Sequence, residues 1–131
     1  MTRINAGIPP KQLKGKHLLA EHREIKRIPN MILSGRANIN QKIPKEFTLG
    51  KGHVTFFYNK VYYLFKRYQQ VYVECRKRGY NVQDYTLTFL RVQKEFPYLW
   101  GNWKPTTEHN EMVLRRIREN ELAAKREANG H

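Results

Sequence analysis

The sequence predicts an all-α fold: three helices packed as one compact domain over residues 1–131, with long loops gathered on one side. Two observations carry the prediction, and a third supports it. Phe57, Val61, Leu64, Tyr68, Val71 and Cys75 recur at the spacing of a single helical face. Helix punctuation recurs along the chain, with Pro9-Pro10 ahead of one candidate segment, Gly35 behind it, and Arg76-Lys77-Arg78-Gly79 closing another. No alternating pattern reads convincingly as a strand, although Tyr85-Thr86-Leu87-Thr88-Phe89-Leu90 is the stretch that comes nearest.

The first helix starts after Pro9-Pro10 and runs through Leu13, His17, Glu21 and Glu24. Pro29 has no N–H to give a helix interior, so it should kink or interrupt this helix, and Gly35 closes it. The second helix follows the stripe from Phe57 to Cys75. Lys60, Lys66, Arg67, Arg76 and Lys77 lie off that stripe, and Gly79 ends the helix behind a basic last turn. The third starts near Thr106-Thr107, carries Glu108 in its first turn, and presents Val113, Leu114, Ile117 and Ala124. The loops between them are residues 36–52, ending in Leu49-Gly50-Lys51-Gly52, and residues 81–105, with Pro97, Gly101, Pro105 and many of the aromatics.

Charge narrows the function. The net charge is +14, and residues 1–107 hold all of the excess: 20 of the 25 Lys and Arg but 6 of the 11 Asp and Glu. Such a field favours a polyanion, most simply nucleic acid. The single cysteine, Cys75, excludes an intrachain disulfide and fits a reducing cytoplasm. Its place on the apolar stripe reads as core packing. No apolar run is long enough to span a membrane, and the basic start lacks the apolar stretch of a signal peptide. The histidines and the cysteine show no zinc spacing, and the carboxylates do not cluster as a two-metal nuclease requires. Gly50-x-Gly52 lacks the Lys-Ser/Thr of a phosphate-binding P-loop. No metal or cofactor is expected.

On the first helix His17, Glu21 and Glu24 share a narrow arc, with Lys16, Arg23 and Arg27 beside it. A carboxylate among phosphate-binding arginines repels the ligand. It fits chemistry on a deoxyribose, where it stabilises positive charge developing near C1′ and moves protons. The competing reading is ordinary helix pairing, such as Glu24 with Arg27. Glu21 also shares the arc of Ile25, Ile28 and Ile32, so a buried, paired role fits it better than a chemical one. At the chain start, Thr2 is small enough for Met1 to be removed. The exposed α-amine has an ordinary pKa of about 7.7–8.0, so part of it is neutral and nucleophilic near pH 7. Neighbouring cations such as Arg3 or Arg23 lower that value.

These residues resemble a known family. Met1-Thr2-Arg3-Ile4-Asn5, then His17-Leu18, Ala20-Glu21, Arg23-Glu24 and Arg27, look like the start of the phage endonuclease V family of pyrimidine-dimer DNA glycosylases with AP-lyase activity. Phe47-x-Leu49-Gly50-x-Gly52-His53-Val54-Thr55-Phe56-Phe57-Tyr58-x-Lys60, Lys66-Arg67, Glu74-Cys75-x-Lys77-Arg78-Gly79-x-Asn81 and Asp84 continue the likeness. It covers about residues 1–84 closely and the third helix loosely.

The resemblance implies a mostly helical, metal-free monomer acting on lesion-containing double-stranded DNA in the cytoplasm of a bacterial or phage-infected cell. It implies that Thr2 attacks C1′ through its α-amine, forms a Schiff base and nicks by β-elimination, with Glu24 as the essential carboxylate. Arg3, Lys16, His17, Arg23, Arg27 and Arg116 then serve DNA binding. The chain departs from the family's pattern in four places. His22 replaces a Tyr, Gln83 and Asn120 replace basic residues, and Lys125–His131 do not match the family's aromatic tail. Trp100 and Trp103 offer aromatic surface elsewhere. Two alternatives stay open: the same fold acting on another modified base or on abasic sites alone, and a non-catalytic DNA-binding protein.

Overall fold

Pro29 divides the first predicted helix. In the computed structural model, which describes residues 4–129, that helix resolves into a short 3-10 turn at Pro10–Gln12, helix α1 (Gly15–Ile25) and helix α2 (Arg27–Leu33), with Lys26 at the joint. Pro29 falls in the first turn of α2, where a backbone N–H would have no intrahelical acceptor, so the ring is tolerated there as it would not be inside one continuous helix. Helix α2 ends through Gly35 at φ +77°. The Gly35 N–H bonds the Ile32 carbonyl at 3.3 Å and the Arg36 N–H bonds the Met31 carbonyl at 3.0 Å. This is a Schellman closure, which needs a left-handed residue and so favours glycine.

The second predicted helix begins later than its stripe. His53–Phe56 form a single turn, α3, and Phe57–Asn59 a 3-10 turn. Helix α4 (Val61–Lys77) then carries Val61, Leu64, Tyr68, Val71 and Cys75 into the core. It closes as α2 does: Gly79 is at φ +82°, with Gly79 N–H to Arg76 carbonyl at 3.0 Å and Tyr80 N–H to Cys75 carbonyl at 2.9 Å. Arg67 is a correction. Placed off the stripe by sequence, it is 2% exposed. It lies one turn from Tyr63, Leu64 and Val71, at the margin of the buried face.

Residues 81–105 are not one loop. Thr86–Glu95 form helix α5, followed by a 3-10 turn at Pro97–Leu99. The strand-like alternation over 85–90 misleads because Leu87 is exposed while Phe89 and Val92 are buried. Tyr85, Phe89, Val92 and Phe96 give a helical spacing instead. Asp84 holds the helix start, accepting from the Thr86 N–H at 2.9 Å and the Thr86 hydroxyl at 2.6 Å. The last helix, α6 (Thr107–Asn129), begins where the sequence places it. Thr106 and His109 exchange bonds there, His109 N–H to Thr106 Oγ1 at 3.2 Å and Thr106 N–H to His109 Nδ1 at 3.0 Å. The arrangement is a capping box with His in place of Glu.

The fold is all-α, but the three-helix expectation is corrected. Among the described residues there are five helices of 7 residues or more, plus the turn α3, and no strand. The extra helices come from the Pro29 break and from α5. Helix α1 packs on α4, α2 on α5, and α4 on α5. Trp103 is also not free aromatic surface. It stacks on Phe47 at 5.3 Å between ring centroids and stands edge-on to Tyr63 at 5.0 Å. Trp100 stacks on Tyr62 at 5.8 Å.

Candidate active site

The segment Ile4–Ile8 has no regular secondary structure, yet Ile4, Asn5, Ala6 and Ile8 are buried. Buried backbone polar groups need partners, and other elements supply them. The Ile4 N–H donates to His53 Nε2 at 3.0 Å, from α3. The Asn5 side-chain amide, Nδ2, also donates to Glu21 Oε1 at 2.7 Å, on α1. The Ala6 carbonyl accepts from the Tyr63 hydroxyl at 2.6 Å, and the Ile8 carbonyl from Arg67 at 2.6 Å, both from α4. The Gly7 N–H donates to Asn110 Oδ1 at 2.8 Å, from α6. Burial raises the Tyr63 hydroxyl well above the ordinary tyrosine value, so it remains a donor. Ala6 sits at φ +50°, a left-handed conformation that costs a non-glycine residue about 1–2 kcal/mol. The surrounding bonds offset that cost.

Thr2 and Arg3 lie outside the described residues. Ile4, two residues after Thr2, is where the clamped segment starts.

The α1 residues divide by face. Leu18, Glu21, His22 and Ile25 point inward. Lys16, His17 and Arg23 come together on the rim of a cleft of about 610 Å³ between α1 and α6, floored by Leu19, Ala20 and Ala124 and bordered by Asn120. Lys14 and His17 both reach Glu121 Oε1 across this face, at 3.1 and 3.4 Å. Hydrogen bonding from Lys14, with His17 beside it, holds the Glu121 carboxyl below its ordinary value. Arg116 lines a different cleft, between α6 and the Thr48-Leu49-Gly50 loop. It shares a side of α6 with Asn120, one turn further on.

Glu24 lies one turn beyond Glu21. Arg27 NH1 reaches its two carboxylate oxygens at 3.3 and 3.1 Å. The local pairing that sequence allowed is therefore formed. Arg27 is half exposed while the Glu24 side chain is 18% exposed, and Glu24 stands one helical turn from Glu21, to which Asn5 hydrogen-bonds.

Two departures from the family pattern meet. The His22 ring nitrogen Nε2 lies 3.2 Å from the Gln83 carbonyl, between Tyr68 and Tyr85. Burial lowers the His22 pKa, partly opposed by the Gln83 bond and reinforced by Lys26. The residues that sequence reading missed are His53, Tyr63, Arg67, Asn110 and Glu121. One signal was present, in that Glu21 shares the apolar arc of α1 and so needed a buried cationic partner.

Among the described residues no three His, Cys, Asp or Glu side chains form a group that could hold a metal ion. No described helix is long and apolar enough to cross a membrane. The family model for pyrimidine dimer DNA glycosylases matches residues 1–87, from the N-terminal segment through α4 and into the first turn of α5. That is 87 of 131 residues, and it takes in Glu21, Glu24, His53 and Arg67. The chain belongs to the pyrimidine dimer DNA glycosylase family.

Proposed function

We propose that this glycosylase is also an AP lyase, with the Thr2 α-amine as its nucleophile once Met1 has been removed. The observation that carries the reading is the clamp on Ile4–Ile8. A chain end normally frays. Here buried hydrogen bonds from α1, α3 and α4, and an exposed one from α6, hold the residues next to it, which is costly architecture unless the end has a task.

The amine attacks C1′ of the damaged nucleotide, and the glycosidic bond breaks with its electrons leaving on the base. Loss of a proton from nitrogen and opening of the sugar give the Schiff base. Removal of a C2′ proton then expels the 3′ phosphate and nicks the strand. Glu24 is the carboxylate that steadies positive charge at C1′ and carries protons. The three residues from Asn5 back to Thr2 reach at most about 10 Å when extended, enough to cover the single helical turn from Glu21, where Asn5 docks, to Glu24. Lys16, His17 and Arg23 at the α1–α6 cleft, with Arg3, Arg27 and Arg116, bind the phosphates of lesion-containing duplex DNA. The +14 charge supplies the attraction.

Borohydride trapping tests the reading. Protein of verified mass lacking Met1 should become covalently attached to a duplex with one abasic site when borohydride is present. A protein that binds this duplex and never traps is a binding module, and the lyase reading fails.

A further inference from the structure

We propose that His53 is a positioning residue for the nucleophile: its ring fixes the backbone at Ile4 and thereby sets where the chain-terminal amine stands. This rests on the reading of Thr2 as the nucleophile. His53 is 4% exposed and opens the short turn α3. Its two ring nitrogens do different work. The Ile4 N–H can only donate, so Nε2, at 3.0 Å, is the acceptor and carries no proton. The Thr48 carbonyl can only accept, so Nδ1, at 2.8 Å, carries the proton and donates. One tautomer satisfies both bonds, which makes the ring a strut between the Thr48 loop and the N-terminal segment.

The geometry favours a positioning role over simple packing. Phe47 and Phe57 pack edge-on against the ring at 5.7 and 5.4 Å between centroids. The bond it accepts comes from the first residue of the clamped segment, two residues from Thr2. Asn5, Ala6, Gly7 and Ile8 are each held by other side chains. Loss of the His53 bond therefore removes the restraint at Ile4, nearest the amine, while those bonds stay.

The test compares three variants of the full chain, each confirmed by mass to lack Met1 and by thermal melting to be folded. His53→Asn keeps a donor near Nδ1 but is too short to reach Ile4. His53→Gln places an acceptor further out, near Nε2. His53→Leu has neither. Two quantities are read: affinity for a duplex carrying an uncleavable abasic analogue, and the rate of borohydride-trapped adduct formation at saturating abasic duplex.

Misplacement of a reacting atom by an ångström costs about 10²-fold, so His53→Asn and His53→Leu should trap about that much more slowly with affinity held within about threefold, and His53→Gln should recover most of the rate. Should His53→Leu not fold, His53→Asn carries the comparison. A folded His53→Asn that traps at the wild-type rate overturns the proposal. So does a parallel loss of rate and affinity, which marks a structural role, and so does a His53→Gln variant as slow as His53→Asn. Wild-type protein that fails to trap overturns the nucleophile reading and this one with it. Wild-type trapping with an unaffected His53→Asn overturns this one alone.

Discussion

Arg67 and Glu21 grip each other in a two-pronged, fully buried ion pair: Arg67 Nε donates to Glu21 Oε2 at 2.7 Å and NH2 to Oε1 at 2.9 Å. The pair joins α4 to α1, and each ion has a second partner in the N-terminal segment, Glu21 the Asn5 amide and Arg67 the Ile8 carbonyl. Burial works against the Arg67 charge, and the Glu21 carboxylate outweighs it, leaving the guanidinium above its ordinary value.

Removing one ion leaves the other buried without compensation. Glu21→Gln and Arg67→Met should each cost about 3–5 kcal/mol, enough to lower Tm by roughly 10–25 °C in a domain of this size. The double replacement Glu21→Leu with Arg67→Met should recover only part of the loss, because the Asn5 amide and the Ile8 carbonyl stay buried without their partners. Thermal melting decides it: a Glu21→Gln protein that melts with the wild type would mean that the pair does not hold α1 on α4.

Thr2 should act through its amine and not its hydroxyl. Thr2→Ser and Thr2→Ala, processed to expose residue 2, are expected to keep appreciable lyase activity. One additional residue ahead of Thr2 displaces the amine by a peptide unit and should reduce trapping severely. Intact mass and strand cleavage on abasic duplex are measured together, and full activity in an N-terminally extended protein would refute the mechanism.

Glu24→Gln separates chemistry from binding. It preserves shape and removes a negative charge from a basic face, so DNA affinity should hold or rise. The rate of single-turnover cleavage should fall about 10²-fold or more. Because Arg27 pairs with Glu24, Arg27→Ala is the companion variant. It should weaken binding and flatten the salt dependence of log K by about one unit if Arg27 touches phosphate. Wild-type cleavage by Glu24→Gln would reduce Glu24 to its helix pairing.

His22 ties acid stability to the contact of α1 with Tyr68 on α4 and with the Gln83–Tyr85 segment ahead of α5. Its folded pKa lies below the ordinary 6.5, chiefly because burial disfavours the charged ring. As pH falls below 6.5 the unfolded chain takes up a proton that the folded chain resists. Stability present above 6.5 is thus lost as pH drops through the lowered folded value. Between about pH 7.5 and 5.5 the wild-type Tm should fall more steeply than that of His22→Gln, which keeps a donor toward the Gln83 carbonyl and cannot titrate. Parallel Tm profiles would show that His22 is not the group responsible.

What the sequence determined by itself is local. Pro29 broke the first helix because a missing N–H acts at its own position. Gly35 and Gly79 closed α2 and α4 because left-handed backbone is a property of one residue. The stripe from Val61 to Cys75 and the Thr106 cap placed α4 and α6, and the long motifs over residues 1–84 carried the family likeness that the match over 1–87 shows. What only the tertiary structure decided is which side chains meet. Residues 85–90 alternate like a strand, but the buried space beside α4 accepts Phe89 and Val92 on one helical face. Arg67 looked like a surface cation until Glu21 was placed opposite it. The clamp on Ile4–Ile8 joins residues 49, 57, 59 and 103 positions apart. Such bonds leave no periodic or neighbouring trace in the chain, because a hydrogen bond depends on distance in space, and folding alone brings those donors and acceptors within 3 Å of one another.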